Sequence, residues 1–255
     1  MKPGKILTRF SDRVDDYVKY RPGYPAEVIR VLKDRCGLGS NSVIADIGSG
    51  PGNLARLFLD NGNEVFAVEP NAEMREAGAS LLGYLPRYHS VEGKAEETHL
   101  GDGSADFITA AQAFHWFDWP RAKSEFRRIL QPGGWVVLLW NDRRLHSSPF
   151  QQDYEELLLQ YGTDYAHVKT QGRAAVDAIA EFFSHRFERV SLDNSQFFDF
   201  AGLKGRLLSA SYAPKPNHPN HALMLAELER MFRKYANEAL VKFEYDTNIY
   251  FGQLE

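Results

Sequence analysis

The stretch Val43-Ile44-Ala45-Asp46-Ile47-Gly48-Ser49-Gly50-Pro51-Gly52-Asn53 decides the fold. Its first five residues form an apolar run of strand length, and the next five form a glycine-rich turn. Glycine has no Cβ and adopts left-handed backbone angles at little cost, so such a turn lets a ligand approach the main chain. The following apolar run, 65–68, is closed by Glu69, an acid placed at the end of the next strand to reach a ribose diol. Together they have the layout of a nucleoside-cofactor site. Two cofactor families share that layout. A dinucleotide fingerprint would put its third glycine at position 53, where this chain has Asn53. Here the glycines alternate at 48, 50 and 52, and Asp46 stands two residues before the first.

Outward from this turn, strand and helix signals alternate. A helix opens at Pro25, with Val28, Ile29, Leu32 and Leu38 on one side. Strands are expected over 43–47, 64–69, 88–92, 106–111 and 135–140, with helices over 54–61, 72–82 and 121–130 between them. Short, nearly all-apolar strands separated by helices predict an α/β fold with a parallel sheet covered on both faces. The alternation stops near residue 140. Helices are expected over 151–161, 172–183, 201–209 and 221–235, and strands over 187–200 and 240–251. The last run alternates Val241, Phe243 and Tyr245 with Lys242, Glu244 and Asp246, the period of a strand with one wet face. The final two strands are read as a hairpin-like edge, and the helices around them as a cap over the carboxyl ends of the strands.

Composition narrows the function. In 255 residues, 30 basic and 34 acidic side chains give a net charge of −4, without a Lys/Arg run that would stripe a phosphate backbone. Nucleic acid is therefore not an expected partner. Apolar residues make up 44%, enough for a sizeable core. The lone Cys36 excludes an internal disulfide and a cysteine-type zinc cluster, and reads as a small buried residue. His218 and His221 are three apart, but no further ligand stands at the right spacing, so no metal is expected. No apolar run approaches the ~20 residues of a spanning helix, and the first ten residues lack a signal-peptide core. The expectation is a soluble, cytoplasmic protein, monomer or homodimer.

The segments 46–52, 65–71, 93–96, 106–115 and 130–134 resemble those of class I S-adenosylmethionine (SAM) methyltransferases, including the small-molecule branch related to trans-aconitate methyltransferases. The resemblance covers about the first 140 residues. It implies a Rossmann-like, seven-stranded mixed sheet whose last strand is antiparallel, with helices on both faces. It divides one domain into an N-terminal helical lid (1–40), a SAM-binding core (41–142), cap helices with the sixth strand (143–240) and the final strand (241–255). The cofactor would be SAM and its product S-adenosylhomocysteine. Gly48, Ser49, Gly50, Gly52 and Asn53 would border it, with Asp46 oriented towards its ammonium group. Glu69 would accept from both ribose hydroxyls. The resemblance also implies Ala95 and Glu96 near the adenine, Pro70, Asn71 and Met74 flanking the ring, and Ala111 and Gln112 along the methionine part.

Acceptor residues are sought where the sheet edge faces the methyl group. The run 112–119 carries His115, Trp116 and three further aromatics. His115 is the first candidate base for a hydroxyl or amine acceptor, whereas a carboxylate needs none. Of Phe114, Trp116 and Trp119, at least two are expected to anchor the next helix in the core. Tyr17, Tyr20 and Arg21, in the segment matching the family lid, and Arg143, after the fifth strand, are the other candidate contacts for a small-molecule substrate. Two other functions fit the same turn: a SAM-binding protein without transferase activity, and an NAD-dependent oxidoreductase, which Asn53 disfavours.

Overall fold

The computed structural model describes residues 18–254, apart from the side chains of 169–176. Seven strands, β1 (Val43–Ile47), β2 (Glu64–Val68), β3 (Tyr88–Val91), β4 (Ala105–Ala111), β5 (Leu130–Arg143), β6 (Glu188–Phe198) and β7 (Val241–Gly252), form one sheet in the order β3-β2-β1-β4-β5-β7-β6. The first five positions pair in parallel. β7 is antiparallel to both β5 and β6, so it is the one reversed strand. Among the described residues the longer helices are α1 (Glu27–Cys36), α2 (Asn53–Asp60), α3 (Ala72–Leu82), α4 (Trp119–Ile129), α5 (Pro149–Tyr161), α6 (Tyr165–Phe182), α7 (Phe200–Leu208) and α8 (Asn220–Tyr235). The strand order reverses between β1 and β4, which leaves a crevice at their carboxyl ends where such sheets take ligands.

The parallel strands are apolar because both of their faces are covered. Ile44, Ala45 and Ile47 of β1 are buried, as are Val136 to Leu139 of β5. α1 presents Val28, Ile29, Leu32 and Cys36 to one face and ends at Gly37, whose left-handed φ of 70° lets its N–H return to the Leu32 carbonyl. Cys36 is buried, and desolvation pushes its thiol up to about 12, so it is a core residue and not a reactive one. Side-chain caps start other helices: Asn71 accepts from Met74 N, and Ser148 from Gln151 N.

Five expectations need correcting. The helix expected over 172–183 begins at Tyr165. Of Phe114, Trp116 and Trp119 only Phe114 is buried, and Trp119 is exposed. β5 is longer than 135–140, because it continues pairing with β4 back to Leu130 and with β7 out to Arg143. The β6–β7 pair is no hairpin: α7 and α8 lie between its strands. The wet face of β7 is confined to its first half; from Thr247 to Gly252 both faces are buried, since the strand sits between β5 and β6. That first half supplies Val241, Phe243 and Tyr245 to a separate apolar cluster with α5, α7 and α8, the cap.

Phe114 is fully buried at the heart of the main cluster, with the rings of Phe182, Trp119, Phe117 and Trp140 centred 5.1 to 6.2 Å away. Trp119 also donates its indole N–H to the Phe114 carbonyl at 3.0 Å. Phe114→Ala is expected to lower the unfolding free energy by about 3–5 kcal/mol in urea titration; a loss below about 1 kcal/mol would mean that this packing is misread.

Candidate functional site

A recess open to solvent lies at the switch point between β1 and β4. Its floor is Asp46 with the turn Gly48 to Pro51, followed by Asn53 and Leu54. Ala111 and Gln112 at the end of β4 and Asn141 near the end of β5 continue it across the sheet. Arg21, Pro22 and Tyr24 close one side, and Arg206 of α7 borders it from the cap.

Asp46 is 1% exposed. Its Oδ1 accepts from the Thr109 hydroxyl at 2.8 Å, while Oδ2 is buried without a hydrogen-bond partner among the described residues. Burial pushes the carboxyl up to about 7, with the Glu69 charge adding to the rise and the Thr109 hydroxyl and the nearby Ala55 backbone N–H opposing it. A cationic amine entering the recess would supply the missing donor and restore the ionised form.

The turn is shaped by its glycines in three different ways. Gly50 has φ +56° and open space where a Cβ would stand, so its backbone is bare on that side. Gly48, at φ +69°, lies so close to Ala113 that a Cβ would come within 2.7 Å of its methyl carbon. Gly52, at φ +90°, makes room for Leu82, which would stand 2.4 Å from a Cβ. Gly52 thus serves the packing of α2 on α3 and does not border the recess.

Glu69, at the end of β2, is held by two backbone donors: Gly50 N–H to Oε2 and Asn71 N–H to Oε1, each at 2.9 Å. It is 8% exposed, and burial raises its carboxyl while the two N–H bonds act in the opposite direction. Glu69, Pro70, Asn71, Met74, Ala95 and Glu96 all lie outside the recess lining. Asn71 and Met74 meet in the α3 cap, and Ala95 is buried. The Glu96 carboxylate accepts from Asp118 N at 2.7 Å, which ties it to the start of α4.

The acceptor candidates fare unevenly. Arg21 borders the recess and donates to the Ser209 carbonyl at 3.0 Å. Tyr17 lies outside the described residues. Tyr20 does not reach the recess: its ring lies on the backbone of Gly205 in α7, 2.0 Å from where a Cβ would stand, so it docks the N-terminal segment on the cap. Arg143 is also elsewhere. Its guanidinium is buried in the cap in an ion pair with Glu155 and donates to Tyr165 at 2.8 Å. His115 and Trp116 belong to a single 3₁₀ turn, Phe114–Trp116, stack obliquely on each other at 4.6 Å and do not border the recess. His221 has its Nδ1 2.8 Å from the Pro214 carbonyl.

Asn141, Thr109 and Arg206 were not singled out from the sequence. Asn141 follows Trp140 near the end of a strand, the one local signal available; it donates to Gly23 O at 3.1 Å and accepts from Thr247 Oγ1 at 2.5 Å. Gln112 was expected, but its left-handed φ of 56° was not. It donates from Nε2 to Asn141 O at 3.2 Å, which joins the ends of β4 and β5 at the recess.

Residues 45–138 match the methyltransferase domain family. Over that segment the chain is similar to a methyltransferase domain. Over 134 residues it is 38% identical to an uncharacterised methyltransferase of Mycobacterium tuberculosis, covering 52% of each chain. Over 150 residues it is 32% identical to one of Schizosaccharomyces pombe, covering 58% of each. The chain thus spans little more than half the length of these curated relatives. It also superposes on a protein described as a type II methyltransferase from Anaeromyxobacter dehalogenans, with TM-score 0.68 and 20% identity over 92% of this chain and 98% of that one, a likeness of fold. The matched domain ends at residue 138, so Asn141 and the whole cap lie beyond it.

The buried Asp46 carboxyl gives the ligand-free protein a pH signature. Its ionisation is favoured in the unfolded chain near 3.8 and resisted in the folded one until about 7, so the stability it contributes at low pH is lost as pH rises through that window. Asp46→Asn is expected to be more stable than the native chain at pH 8, with a gap that narrows towards pH 5, in paired urea titrations. A gap independent of pH would show that Asp46 ionises normally.

Proposed function

We propose that this chain is a SAM-dependent methyltransferase acting on a small-molecule acceptor. The observation that carries the reading is the Asp46 carboxylate, buried beside a bare glycine turn with one oxygen unpartnered. The ammonium of an amino-acid ligand is the complement of that oxygen, and no pyrophosphate-binding third glycine follows it. Glu69, fixed by two backbone donors, keeps further lone pairs on both oxygens for a ribose diol. The residues lining the recess thus fit the amino-acid part of SAM, and Glu69, bonded to Gly50 but outside the lining, is the ribose acid of this reading.

When bound, SAM supplies a methyl group on a positively charged sulfonium, open to in-line displacement by a nucleophile. The work left to the chain is positioning and the exclusion of water. Gln112 and Asn141, locked to each other at adjoining strand ends, border the space beyond Asp46 where an acceptor would lie. No histidine borders the recess among the described residues, so the reading assigns His115 no proton transfer.

Two measurements test this. Glu69→Ala removes a charge-assisted double hydrogen bond and is expected to weaken SAM binding by about 1.5–3 kcal/mol, roughly 10- to 150-fold, in calorimetry. Unchanged affinity would mean that the ribose lies elsewhere. His115→Ala is expected to keep methyl transfer within about tenfold of the native rate, and a drop of 10²–10⁴ would restore it as the general base.

A further inference from the structure

Arg206 stands apart from the other arginines of the cap. It is 6% exposed, yet it makes no ion pair with an acid among the described residues. Among the described residues its side chain makes one hydrogen bond, from Nε to the Tyr245 hydroxyl at 3.0 Å. The guanidinium carbon lies 5.5 Å from the ring centre of Phe243 and 5.8 Å from that of Tyr245, an aromatic seat that fixes the fork without neutralising it. Arg143, buried in the same cap, is matched by Glu155, and Arg144 by Asp193 and Asp246. Removing a cation from water without a counter-charge costs several kcal/mol, so a buried guanidinium bordering an open recess is a site prepared for an anion.

Position indicates which anion. The recess begins at Asp46 on β1, crosses β4 and β5, and meets Arg206 beside Tyr245 on β7. Three strand spacings separate β1 from β7, about 14 Å across the sheet. The amino-acid part of SAM belongs at the Asp46 end, whereas Arg206 lies at the far end and on α7, outside the matched domain of 45–138. Arg21 borders the same space, adding a second positive charge on the acceptor side.

Resting on the methyltransferase reading above, we infer that Arg206 is an acceptor-anchoring residue whose guanidinium binds a carboxylate of the methyl acceptor. The planar fork suits two carboxylate oxygens, and the aromatic seat keeps it oriented towards the recess. Arg206 determines specificity by charge: an acceptor without the anion leaves the buried cation unpaired and is disfavoured.

The test has a substrate arm and a cofactor arm. Native protein is first titrated with S-adenosylhomocysteine, then assayed with radiolabelled SAM against small aliphatic and aromatic carboxylic acids matched to their primary amides. Acceptance of acids and not amides is expected. Arg206→Met should lower kcat/KM for the best acid by about 100-fold, with S-adenosylhomocysteine affinity within about threefold of native and thermal stability kept or raised, because an unpaired buried charge is gone. Arg206→Lys should recover part of the loss. Amides accepted as well as acids, no acid accepted by a protein that binds S-adenosylhomocysteine, or an acid indifferent to the Met variant would overturn the inference. So would a loss of S-adenosylhomocysteine affinity in Arg206→Met with 5′-methylthioadenosine affinity unchanged, because the anion held would then be the cofactor's own carboxylate. A native protein that binds no S-adenosylhomocysteine would instead remove the methyltransferase reading itself.

Discussion

The Glu69 carboxylate ties together the two turns on which the site is built. Its oxygens take the backbone N–H of Gly50, in the turn after β1, and of Asn71, at the cap of α3. Gly48 and Ser49 add N–H bonds to the Val68 carbonyl at 2.8 and 3.2 Å, so the first turn is stitched to the end of β2 at three points. A turn held so tightly must run through left-handed backbone angles, and glycine occupies positions 48, 50 and 52, where φ is 69°, 56° and 90°. The bare backbone at Gly50 and the position of Asp46 below it follow from this restraint.

Asp46 and Arg206 mark the two ends of the recess, a carboxyl that burial holds towards its neutral form and an unmatched guanidinium. Each is almost fully buried, and each has a polar atom or charge that the described residues leave unmatched. Groups of this kind cost stability in the empty protein. They are retained at a crevice where a ligand with an ammonium at one end and an acceptor with an anion at the other would match both. Between them, Gln112 and Asn141 are uncharged and mutually hydrogen-bonded, suited to flank a methyl group passing from a sulfonium to a nucleophile. Under the proposed function the core and the cap have separate duties: cofactor recognition in the matched segment of 45–138, and acceptor recognition in residues contributed from outside it.

Much of the core was legible because its signals are local. The boundaries of β1 and α3 emerge as expected from periodicity and glycine placement. Glu69 is found by its position after an apolar run. The cap was readable as helices and strands but not as a site, because the contacts that decide it join distant residues. Arg206 meets Tyr245 across 39 positions of sequence, and Tyr20 is placed by the missing side chain of Gly205. Arg143 follows a strand and carries the expected charge, yet Glu155 on the next helix claims it. His115 leaves a strand end at the right edge of the sheet, but the burial of Phe114 sets the 3₁₀ turn that keeps it out of the recess. The inward or outward direction of such residues is a packing outcome, which spacing alone does not encode.

The account rests on the crevice between β1 and β4 being a site for SAM, and calorimetric titration of the native protein with SAM, S-adenosylhomocysteine and NAD tests that claim most directly. Micromolar binding of the first two at one site per chain, without detectable heat from NAD, is the predicted result. Binding of NAD alone, or of none of the three, would contradict it.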